Sequence, residues 1–313
     1  MKLIITGALG HIGSHLIRHI GSIFKDAHVV MVDDLSTQRY ASLFDLPKNV
    51  SYTFLEGKAQ DMDLSFVKEA QAVIHLAAMT NAAGTASTPE LVHENNFQST
   101  KSIADTCLKF NVPLIFPSST SVYGSQSSLV DEGCTREELQ PQSPYAESKL
   151  EEEDYIQSLT KKGLQAVICR LGTIFGTSRG MRFHTAVNKF CWQAVMNQPI
   201  TVWETALHQK RPYLDLEDCV RALCWIMEKD LYDGDVYNIV TENLTVQDVV
   251  DQIQTHKPSL EVELVQHKIM NQLSYEVDRR KFEKTGFVFK GSIKQGIEKT
   301  ITLLNQAHTE TVA

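Results

Sequence analysis

The sequence predicts an α/β fold in which a doubly wound, largely parallel sheet carries a smaller C-terminal α+β cap. Three observations lead to this prediction. Short apolar runs without polar alternation, at residues 2–6, 29–32 and 72–76, are typical of strands buried on both faces. Segments with helical periodicity separate these runs, as the connections between parallel strands require. A glycine-rich turn joins the first run to the first helical segment, at Gly7, Gly10 and Gly13.

The composition bounds the class of protein. A chain of 313 residues is long enough for one large α/β unit or two lobes with a sizeable core. The net charge of −8, without a basic block, argues against a nucleic acid or an anionic membrane as partner. No apolar run approaches the roughly 20 residues of a membrane span, and the first strand follows Met1 directly, so we expect neither membrane anchor nor signal peptide. Six scattered cysteines without a C-x-x-C pair favour a cytoplasmic protein without disulfides or a structural metal.

The glycine-rich turn is the first candidate ligand site. Its G-x-x-G-x-x-G spacing permits a tight turn and a close approach of the backbone to a phosphate. Residues 14–20 carry an apolar helical face, so a helix begins inside the motif and directs its N-terminal N–H groups at a bound anion. Asp33 follows Gly13 by twenty residues, where a dinucleotide fold places the carboxylate that accepts both ribose hydroxyls. Because this carboxylate would oppose a 2′-phosphate, it predicts NAD rather than NADP.

The alternation of strands and helices continues to residue 116. Strands are predicted at residues 50–56, 72–78 and 112–116, and a helix at residues 90–110. Small residues at the end of the fourth strand would let a dinucleotide lie against the backbone. His75 lies inside an apolar run and is interpreted as a core histidine rather than a catalyst. Asn96, or its neighbour Asn95, could brace a nearby loop or the active site.

A cluster of hydroxyl groups follows the fifth strand and introduces the candidate chemistry. The next helix opens with Ser143 as its N-cap and Pro144 at its first position. Tyr145 and Lys149 then lie at i, i+4 on one face of this helix. A phenol, with an ordinary pKa of about 10, acts as a base near neutral pH only where positive charge stabilises the phenolate. An ammonium and an oxidised nicotinamide would supply that charge, which makes Tyr145 the predicted base.

These motifs resemble those of the extended short-chain dehydrogenase/reductases, in the NAD-dependent branch of sugar-nucleotide epimerases and dehydratases. The resemblance covers nearly the whole chain and is closest in pattern to the nucleotide-sugar 4-epimerases. It implies a Rossmann-type NAD-binding domain at residues 1–176, rejoined by about 212–240, and a substrate-binding cap at residues 177–211 and 241–313. It also implies a homodimer that pairs the helices around residues 90–110 and 144–162. The motifs that carry it are Gly7–Gly13, residues 33–36, 75–78 and 118–124, Tyr145 with Lys149, and residues 211–218.

The same resemblance implies roles for single residues. Ser119, Tyr145 and Lys149 would form the catalytic trio, and no metal is implied. His11 and Ile12 would meet the pyrophosphate of NAD, and Asp61 with Met62 the adenine. The full set implied to hold NAD is Gly7, Gly10, His11, Ile12, Gly13, Asp33, Asp34, Leu35, Ser36, Asp61, Met62, Leu76, Ala77, Ala78, Thr80, Asn96, Tyr145 and Lys149. The set implied to meet a nucleotide-diphosphate-sugar substrate is Thr80, Ser119, Thr120, Thr173, Arg182 and Arg211.

The reaction type depends on the two residues after Ser119. Dehydratases of the family carry an Asp-Glu pair there, because elimination of water needs an acid and a base beyond the tyrosine. This chain has Thr120 and Ser121 instead, which favours redox at the sugar C4 carbinol, as in an epimerase. A nucleotide-sugar 4-oxidase or 4-ketoreductase would use the same three residues and stays an alternative. A non-catalytic NAD-sensing protein is the alternative from another class, although it has no need of a serine, a tyrosine and a lysine in register.

The nucleotide-binding half departs from the family pattern at three places. Thr173 stands where many members have an asparagine, and residues 204–210 replace the usual Gly-Asp-Gly turn before Arg211. His267, Lys268 and Asn271 match the late Arg-and-Asp pair only in part. Arg211 is still expected to grip a nucleotide diphosphate through its fork of donors. The sequence therefore predicts neither the base nor the sugar.

Overall fold

The computed structural model describes residues 1–80, 89–124, 129–266 and 275–305. The partial match at His267, Lys268 and Asn271 lies outside these residues. The described strands are β1 Lys2–Thr6, β2 His28–Asp33, β3 Ser51–Glu56, β4 Ala72–His75, β5 Leu114–Ser119, β6 Leu129–Val130, β7 Ala166–Leu171, β8 Thr173–Phe175, β9 Ile200–Trp203, β10 Lys210–Asp215, β11 Asp233–Ile239, β12 Glu242–Thr245, β13 Val262–Val265 and β14 Glu276–Val277. The described α-helices are α1 His11–Ile23, α2 Pro89–Phe110, α3 Pro144–Thr160, α4 Ala186–Val195, α5 Leu216–Glu228, α6 Val246–His256, α7 Arg280–Glu283 and α8 Ile293–Leu304.

A seven-stranded parallel sheet forms the centre of the molecule, in the order β11-β7-β5-β4-β1-β2-β3. The chain starts at β1, builds β2 and β3 on one side, and then crosses to β4 and the remaining strands on the other. The order of the strands thus reverses between β1 and β4, which makes the sheet doubly wound. This arrangement confirms the predicted fold class.

Helices cover both faces of the sheet because alternate strand residues point to opposite sides. Leu3 and Ile5 of β1 share one core cluster with Leu16 of α1 and Leu223 of α5, all fully buried. Ile4, between them, shares the other cluster with residues of α2 and α3. Full burial of one such aliphatic side chain contributes about 1.5–3 kcal/mol to stability.

The sequence of residues 170–176 predicts a sixth strand followed by its exit turn, whereas the structure divides this run at Gly172. Its first part ends β7 of the central sheet, and its second part is β8, which pairs with β10 in a three-stranded sheet β12-β10-β8. The Gly172 N–H donates to the carbonyl of Ile239 at 3.0 Å. A Cβ there would lie 3.1 Å from the carbonyl oxygen of Pro212, so the close approach of β10 favours glycine. The chain therefore changes sheets at this residue, directly beside the carboxyl end of β7.

Outside the central sheet, a third core cluster holds the smaller layer together. It joins α4, α6 and α8 to strands β9 and β10, with Phe190, Val249 and Ile297 among its buried members. Strands β9 and β13 pair in parallel beside it. Segment 212–240 is shared between the two layers, because β10 lies in the three-stranded sheet whereas β11 joins the central one.

No helix in the described ranges combines the length and apolarity that a bilayer crossing would need. The six cysteines are all free, and five of them are buried. Among the residues whose positions are described, no group of three or more His, Cys, Asp or Glu side chains could hold a metal ion.

Candidate active site

A cavity of about 600 Å³ lies along the carboxyl ends of β1, β4, β5 and β7. Open α/β sheets bind their ligands at this edge, beside the point where the strand order reverses. Most residues that the sequence singled out line this cavity. They are Gly7, Gly10, His11, Ile12, Gly13, Asp33, Asp34, Ser36, Leu76, Ala77, Ala78, Thr80, Ser119, Thr120, Tyr145, Lys149, Thr173, Arg182 and Arg211.

Four residues of the expected cofactor set are not among the described residues that line the cavity: Leu35, Asp61, Met62 and Asn96. Leu35 is buried, and its backbone N–H orients Asp33. Asn96 is also buried, and its side chain forms two hydrogen bonds with the backbone of Met79. It accepts from the N–H at 2.7 Å and donates to the carbonyl at 3.2 Å. Near Asp61 and Met62 the cavity wall is formed instead by residues 57–60.

The glycine turn leaves the start of α1 open toward the cavity. Gly7 has a φ of +63°, and a Cβ there would lie 2.6 Å from the backbone nitrogen of Ala77. A Cβ on Gly13 would lie 2.5 Å from the carbonyl oxygen of Gly7, so both positions require glycine. Gly10 is the N-cap of α1, and no side chain caps that helix. Its first N–H groups therefore remain available to an anion, as the pyrophosphate of a dinucleotide requires.

The carboxylate of Asp33 is oriented by two backbone donors at the end of β2. Its oxygens accept from the N–H groups of Leu9 and Leu35, each at 3.0 Å. Each oxygen keeps a further lone pair, and the half-buried side chain lines the cavity. Burial raises the pKa of Asp33, although the two backbone hydrogen bonds oppose this shift. The chain thus offers an open helix terminus and an oriented carboxylate, with Asp33 twenty residues after Gly13, and this arrangement fits NAD.

The predicted catalytic trio lines the same cavity from β5 and α3. Ser119 ends β5, and its Oγ accepts from the backbone N–H of Ser121 at 3.2 Å and from its hydroxyl at 2.9 Å. Ser143 caps α3 by accepting from the N–H of Ala146 at 3.2 Å, with Pro144 at the first position, as predicted. Tyr145 therefore lies in the first turn of α3 and Lys149 one turn later. Both line the cavity together with Ser119.

Lys149 contacts a buried carboxylate that was not predicted from the sequence. Its Nζ lies 3.1 Å from Glu152 and 4.4 Å from the centre of the Phe116 ring. Glu152 is fully buried and also accepts from the hydroxyls of Thr100 at 2.6 Å and Ser148 at 2.8 Å. In the sequence, residues 151–153 form a run of three glutamates that suggests a solvent-exposed helix face. The signal that could have found Glu152 is its spacing of three residues from Lys149, which places both on one side of the helix.

A second buried ion pair supports the strand end that carries Ser119. Glu153 accepts two hydrogen bonds from the Arg170 Nε, at 3.1 and 3.2 Å, and one from its Nη2 at 2.7 Å. The hydroxyl of Ser118 donates to the same carboxylate. The Arg170 guanidinium also lies 4.8 Å from the centre of the Tyr123 ring. These contacts connect α3, β5 and β7 beside the turn that follows Ser119.

Two histidines near the cavity are held neutral. Burial, followed by the charge of Arg182, lowers the pKa of His11 to about 3, and its Nδ1 lies 2.9 Å from the hydroxyl of Ser178. Burial, followed by the charge of Lys149, lowers the pKa of His75 to about 3. His75 is buried and its Nδ1 lies 2.7 Å from the hydroxyl of Thr6, as expected of a core histidine.

Among the described residues, three arginines line the cavity, and one of them was not predicted from the sequence. Arg182 donates to the hydroxyl of Thr80, and its Nε has no hydrogen-bond partner within the described structure. Arg211 donates to the side-chain carbonyl of Gln209 at 3.0 Å. Burial lowers the pKa of both guanidinium groups. Arg39, the additional arginine, follows Asp33 by six residues and lies beside the glycine turn.

Comparisons with known proteins agree with this geometry. Residues 3–240 match the model of the NAD dependent epimerase/dehydratase family. The dTDP-D-glucose 4,6-dehydratase of Dictyostelium discoideum is 30% identical over 257 residues, which cover 77% of this chain and 58% of that protein. The chain thus spans less than two thirds of that relative. An uncharacterised UDP-glucose epimerase of Bacillus subtilis, YtcB, is 29% identical over 273 residues, or 81% of each chain.

A solved structure extends the comparison to nearly the whole chain. The UDP-glucuronic acid 4-epimerase of Bacillus cereus, in complex with UDP-glucuronic acid and NAD, aligns with a TM-score of 0.83. The alignment covers 98% of this chain and 99% of that one at 24% sequence identity. At this identity the likeness shows a shared fold.

Proposed function

Since the chain belongs to the NAD-dependent epimerase/dehydratase family, we propose that it is a nucleotide-sugar 4-epimerase. In this proposal the enzyme oxidises the C4 hydroxyl of a nucleotide-diphosphate sugar to a ketone and reduces it again on the opposite face. Ser119, Tyr145 and Lys149 carry the proton chemistry, and Arg211 binds the diphosphate of the substrate.

The observation that carries the choice of epimerase is the distribution of carboxylates around the cavity. Asp33 and Asp34, both at the end of β2, are the only acidic residues among the described residues that line it. On the turn after β5, Thr120 donates to the carbonyl of Leu171 at 3.3 Å and Ser121 donates to Ser119. A dehydratase needs an additional acid and base at the sugar, and this end of the cavity offers hydroxyls instead. The absence of carboxylates beside Ser119 therefore favours the simpler redox cycle.

The roles of the catalytic residues follow from their chemistry. Tyr145, as phenolate, takes the proton from the C4 hydroxyl, while Ser119 donates a hydrogen bond to the same oxygen. The buried ammonium of Lys149 supplies the positive charge that favours the phenolate. NAD, when bound, supplies the acceptor for the C4 hydride. After the keto sugar has turned in the cavity, its C4 takes back the hydride on the opposite face while Tyr145 returns its proton to the C4 oxygen. The other epimer is then released with no net change in the oxidation state of the cofactor.

The experiment that tests this proposal incubates the purified protein with NAD and a panel of nucleotide sugars that differ in base and sugar. The products are separated by chromatography and identified by NMR, while absorbance near 340 nm is followed. Interconversion of two C4 epimers without net reduction of NAD supports the proposal. A 4-keto-6-deoxy product would instead identify a dehydratase. Stoichiometric NADH with a 4-keto product would identify a 4-oxidase, and no conversion across the panel with NAD still bound would favour a sensor.

The proposal includes a homodimer formed by the outer faces of α2 and α3. These helices pack side by side, and Phe97 of α2 stacks edge-on against Tyr155 of α3 at 5.5 Å. Leu91, at the start of α2, is exposed. Light scattering after size-exclusion chromatography should give twice the chain mass of 35.2 kDa. A purely monomeric protein at micromolar concentration would contradict this part of the proposal.

A further inference from the structure

The segment between β8 and α4 is fastened to the glycine turn, although the sequence assigns it to the substrate side. The hydroxyl of Ser178 lies 2.9 Å from the His11 Nδ1. The backbone N–H of Gly180 donates to the hydroxyl of Ser14 at 2.9 Å. A Cβ on Gly180 would lie 2.3 Å from the carbonyl oxygen of Leu9, so the backbones of the two segments are in direct contact. We call residues 178–182 the latch segment.

Arg182 ends the latch segment and lines the cavity, where no carboxylate of the described residues pairs with it. Its side chain donates to the hydroxyl of Thr80, five residues after the end of β4. Its Nε is buried and has no hydrogen-bond partner among the described atoms. Other arginines of the chain pair with carboxylates, Arg170 with Glu153 and Arg221 with Asp218. Within the described residues Arg182 makes no such pair. Arg182 is half-buried, and a cationic side chain with a buried, unpartnered nitrogen is costly unless an anion compensates it, so an anion is expected in the cavity.

Arg39 brings a second guanidinium to the same place from a different part of the chain. It follows β2, lines the cavity, and its Nη1 lies 3.7 Å from the point where a Cβ on Gly10 would be. In the described structure it forms no ion pair. Arg39 and Arg182 also act on a common neighbour, because the positive charges of both help to lower the pKa of His11. The two guanidinium groups therefore converge on the open N-terminus of α1.

We propose that Arg182 and Arg39 bind the pyrophosphate of NAD together with the N-terminus of α1. The inference rests on the NAD cofactor of the proposed function but is independent of the sugar reaction. It assigns Arg182 to the cofactor instead of the substrate, with the latch segment holding it against the glycine turn. The pyrophosphate has two negative charges, which two guanidinium groups can match by charge-assisted hydrogen bonds.

The position of Arg182 favours the cofactor pyrophosphate over the diphosphate of a substrate. Its latch segment contacts Leu9, His11 and Ser14, all in or next to the glycine turn. Arg211, the residue expected at the substrate diphosphate, comes from β10 of the three-stranded sheet instead. Arg182 and Arg211 thus reach the cavity from different segments of the chain, and each can bind one diphosphate.

The test measures binding alone, by isothermal calorimetry on nucleotide-free protein. The ligands are NAD, ADP-ribose, which has the pyrophosphate without nicotinamide, and adenosine, which has no phosphate. Arg182→Gln and Arg39→Gln should each weaken NAD and ADP-ribose about 10- to 100-fold, since each removes a charge-assisted interaction. The affinity of each variant for adenosine should stay within about twofold of the wild-type affinity. Arg182→Lys keeps the charge but loses the paired N–H donors of the guanidinium. Its affinity for NAD should therefore lie between those of the wild type and Arg182→Gln.

Arg179→Gln is the matched control, because Arg179 lies on the same segment but pairs with Asp45 at the surface, at 3.1 Å. It should leave the affinity for NAD within about twofold. Unchanged NAD affinity in Arg182→Gln, with weakened binding of UDP to the NAD-loaded protein, would overturn the proposal and assign Arg182 to the substrate. Equal losses for adenosine and ADP-ribose would also overturn it, because they would indicate a general disturbance of the fold. If Arg182→Gln does not fold, Arg182→Lys and Arg39→Gln give the same comparison.

Discussion

The ammonium of Lys149 lies 3.1 Å from the carboxylate of Glu152, and both side chains are buried in α3. Three groups thus share one buried carboxylate, since Thr100 and Ser148 also donate to it. The network links α2 to α3 and fixes the lysine that the proposed mechanism needs beside Tyr145. Removing the carboxylate would leave a buried charge without a partner.

We therefore expect Glu152→Ala to destabilise the protein by about 3–5 kcal/mol, as for other broken buried ion pairs. Glu152→Gln keeps the volume and part of the hydrogen bonding and should cost less. Urea unfolding, followed by circular dichroism, gives the free energy of unfolding of both variants. Glu151→Ala is the control, because Glu151 contacts only His93 among the described pairs and is half exposed. Glu151→Ala should lower the free energy of unfolding by about 1 kcal/mol or less. A similar loss of stability in the two alanine variants would contradict the prediction.

Tyr145→Phe tests the proposed catalytic acid and base. The change removes the hydroxyl and keeps the ring, so turnover on any accepted nucleotide sugar should fall about 10²- to 10⁴-fold. NAD affinity should change little, because Asp33 at the end of β2 and the glycine turn before α1 belong to elements other than α3, which carries Tyr145. Single-turnover assays and NAD titration measure the two effects separately. Near-native turnover in the variant would show that another residue is the base.

Asp33 should make the protein bind NAD much more tightly than NADP. The two backbone donors hold its carboxylate at the cavity, where a 2′-phosphate would meet like charge from Asp33 and Asp34. Asp33→Ser should weaken the binding of NAD and reduce the difference between the affinities for NAD and NADP. Titration of both cofactors, followed by tryptophan fluorescence, measures this ratio. Equal affinities of the wild-type protein for NAD and NADP would defeat the prediction.

The buried His75 predicts a stability that depends on pH. Burial lowers its pKa to about 3, whereas an unfolded histidine has a pKa near 6.5. The unfolded state therefore binds more protons between these two values, and the stability contributed by neutral His75 falls as the pH drops below about 6.5. The slope approaches about 1.4 kcal/mol per pH unit for one proton.

The comparison of wild type with His75→Asn isolates this contribution from those of the carboxylates. Asn can still bond to Thr6 but does not titrate, so the variant should lose less stability between pH 6.5 and 4. Chemical unfolding at several pH values gives the two slopes. Parallel slopes would mean that His75 titrates at its ordinary pKa in the folded protein.

Gly180→Ala should separate the latch segment from the glycine turn. The added Cβ would lie 2.3 Å from the carbonyl oxygen of Leu9 and 2.5 Å from that of Gly10, so one backbone must move. We expect a lower melting temperature and weaker NAD binding, both measured by thermal shift with and without NAD. Ser178→Ala removes only the hydroxyl that contacts His11 and should have a smaller effect. Wild-type stability of Gly180→Ala would show that the contact is easily relieved.

The central sheet could be predicted from the sequence because local signals determine it. Each buried strand is a short apolar run, and Gly7, Gly13 and Asp33 stand at spacings that depend on one βαβ unit alone. The N-cap Ser143 and the first helical residue Pro144 can be predicted for the same reason. These features need no knowledge of distant contacts.

The features that the sequence did not predict depend on contacts between distant segments. The division of the run at residues 170–176 follows from the approach of β10 to Gly172. The burial of Glu152 depends on Thr100 of α2, and the place of Arg182 depends on the contact of Gly180 with the glycine turn. A charged residue in a single sequence is expected to be exposed, so only the folded structure reveals that Glu152 is fully buried and that Arg182 is half-buried with a buried Nε.

The order of strands in the central sheet has a consequence for synthesis on the ribosome. β7 is buried along its whole length, yet its partner β11 is separated from it by residues 172–232. At roughly 5–20 residues per second, several seconds pass between the emergence of the two strands. During that time a nascent six-stranded sheet presents β7 as an apolar, unpaired edge. Chaperone binding and slower translation at low temperature should therefore affect the soluble yield of this chain more than its final stability.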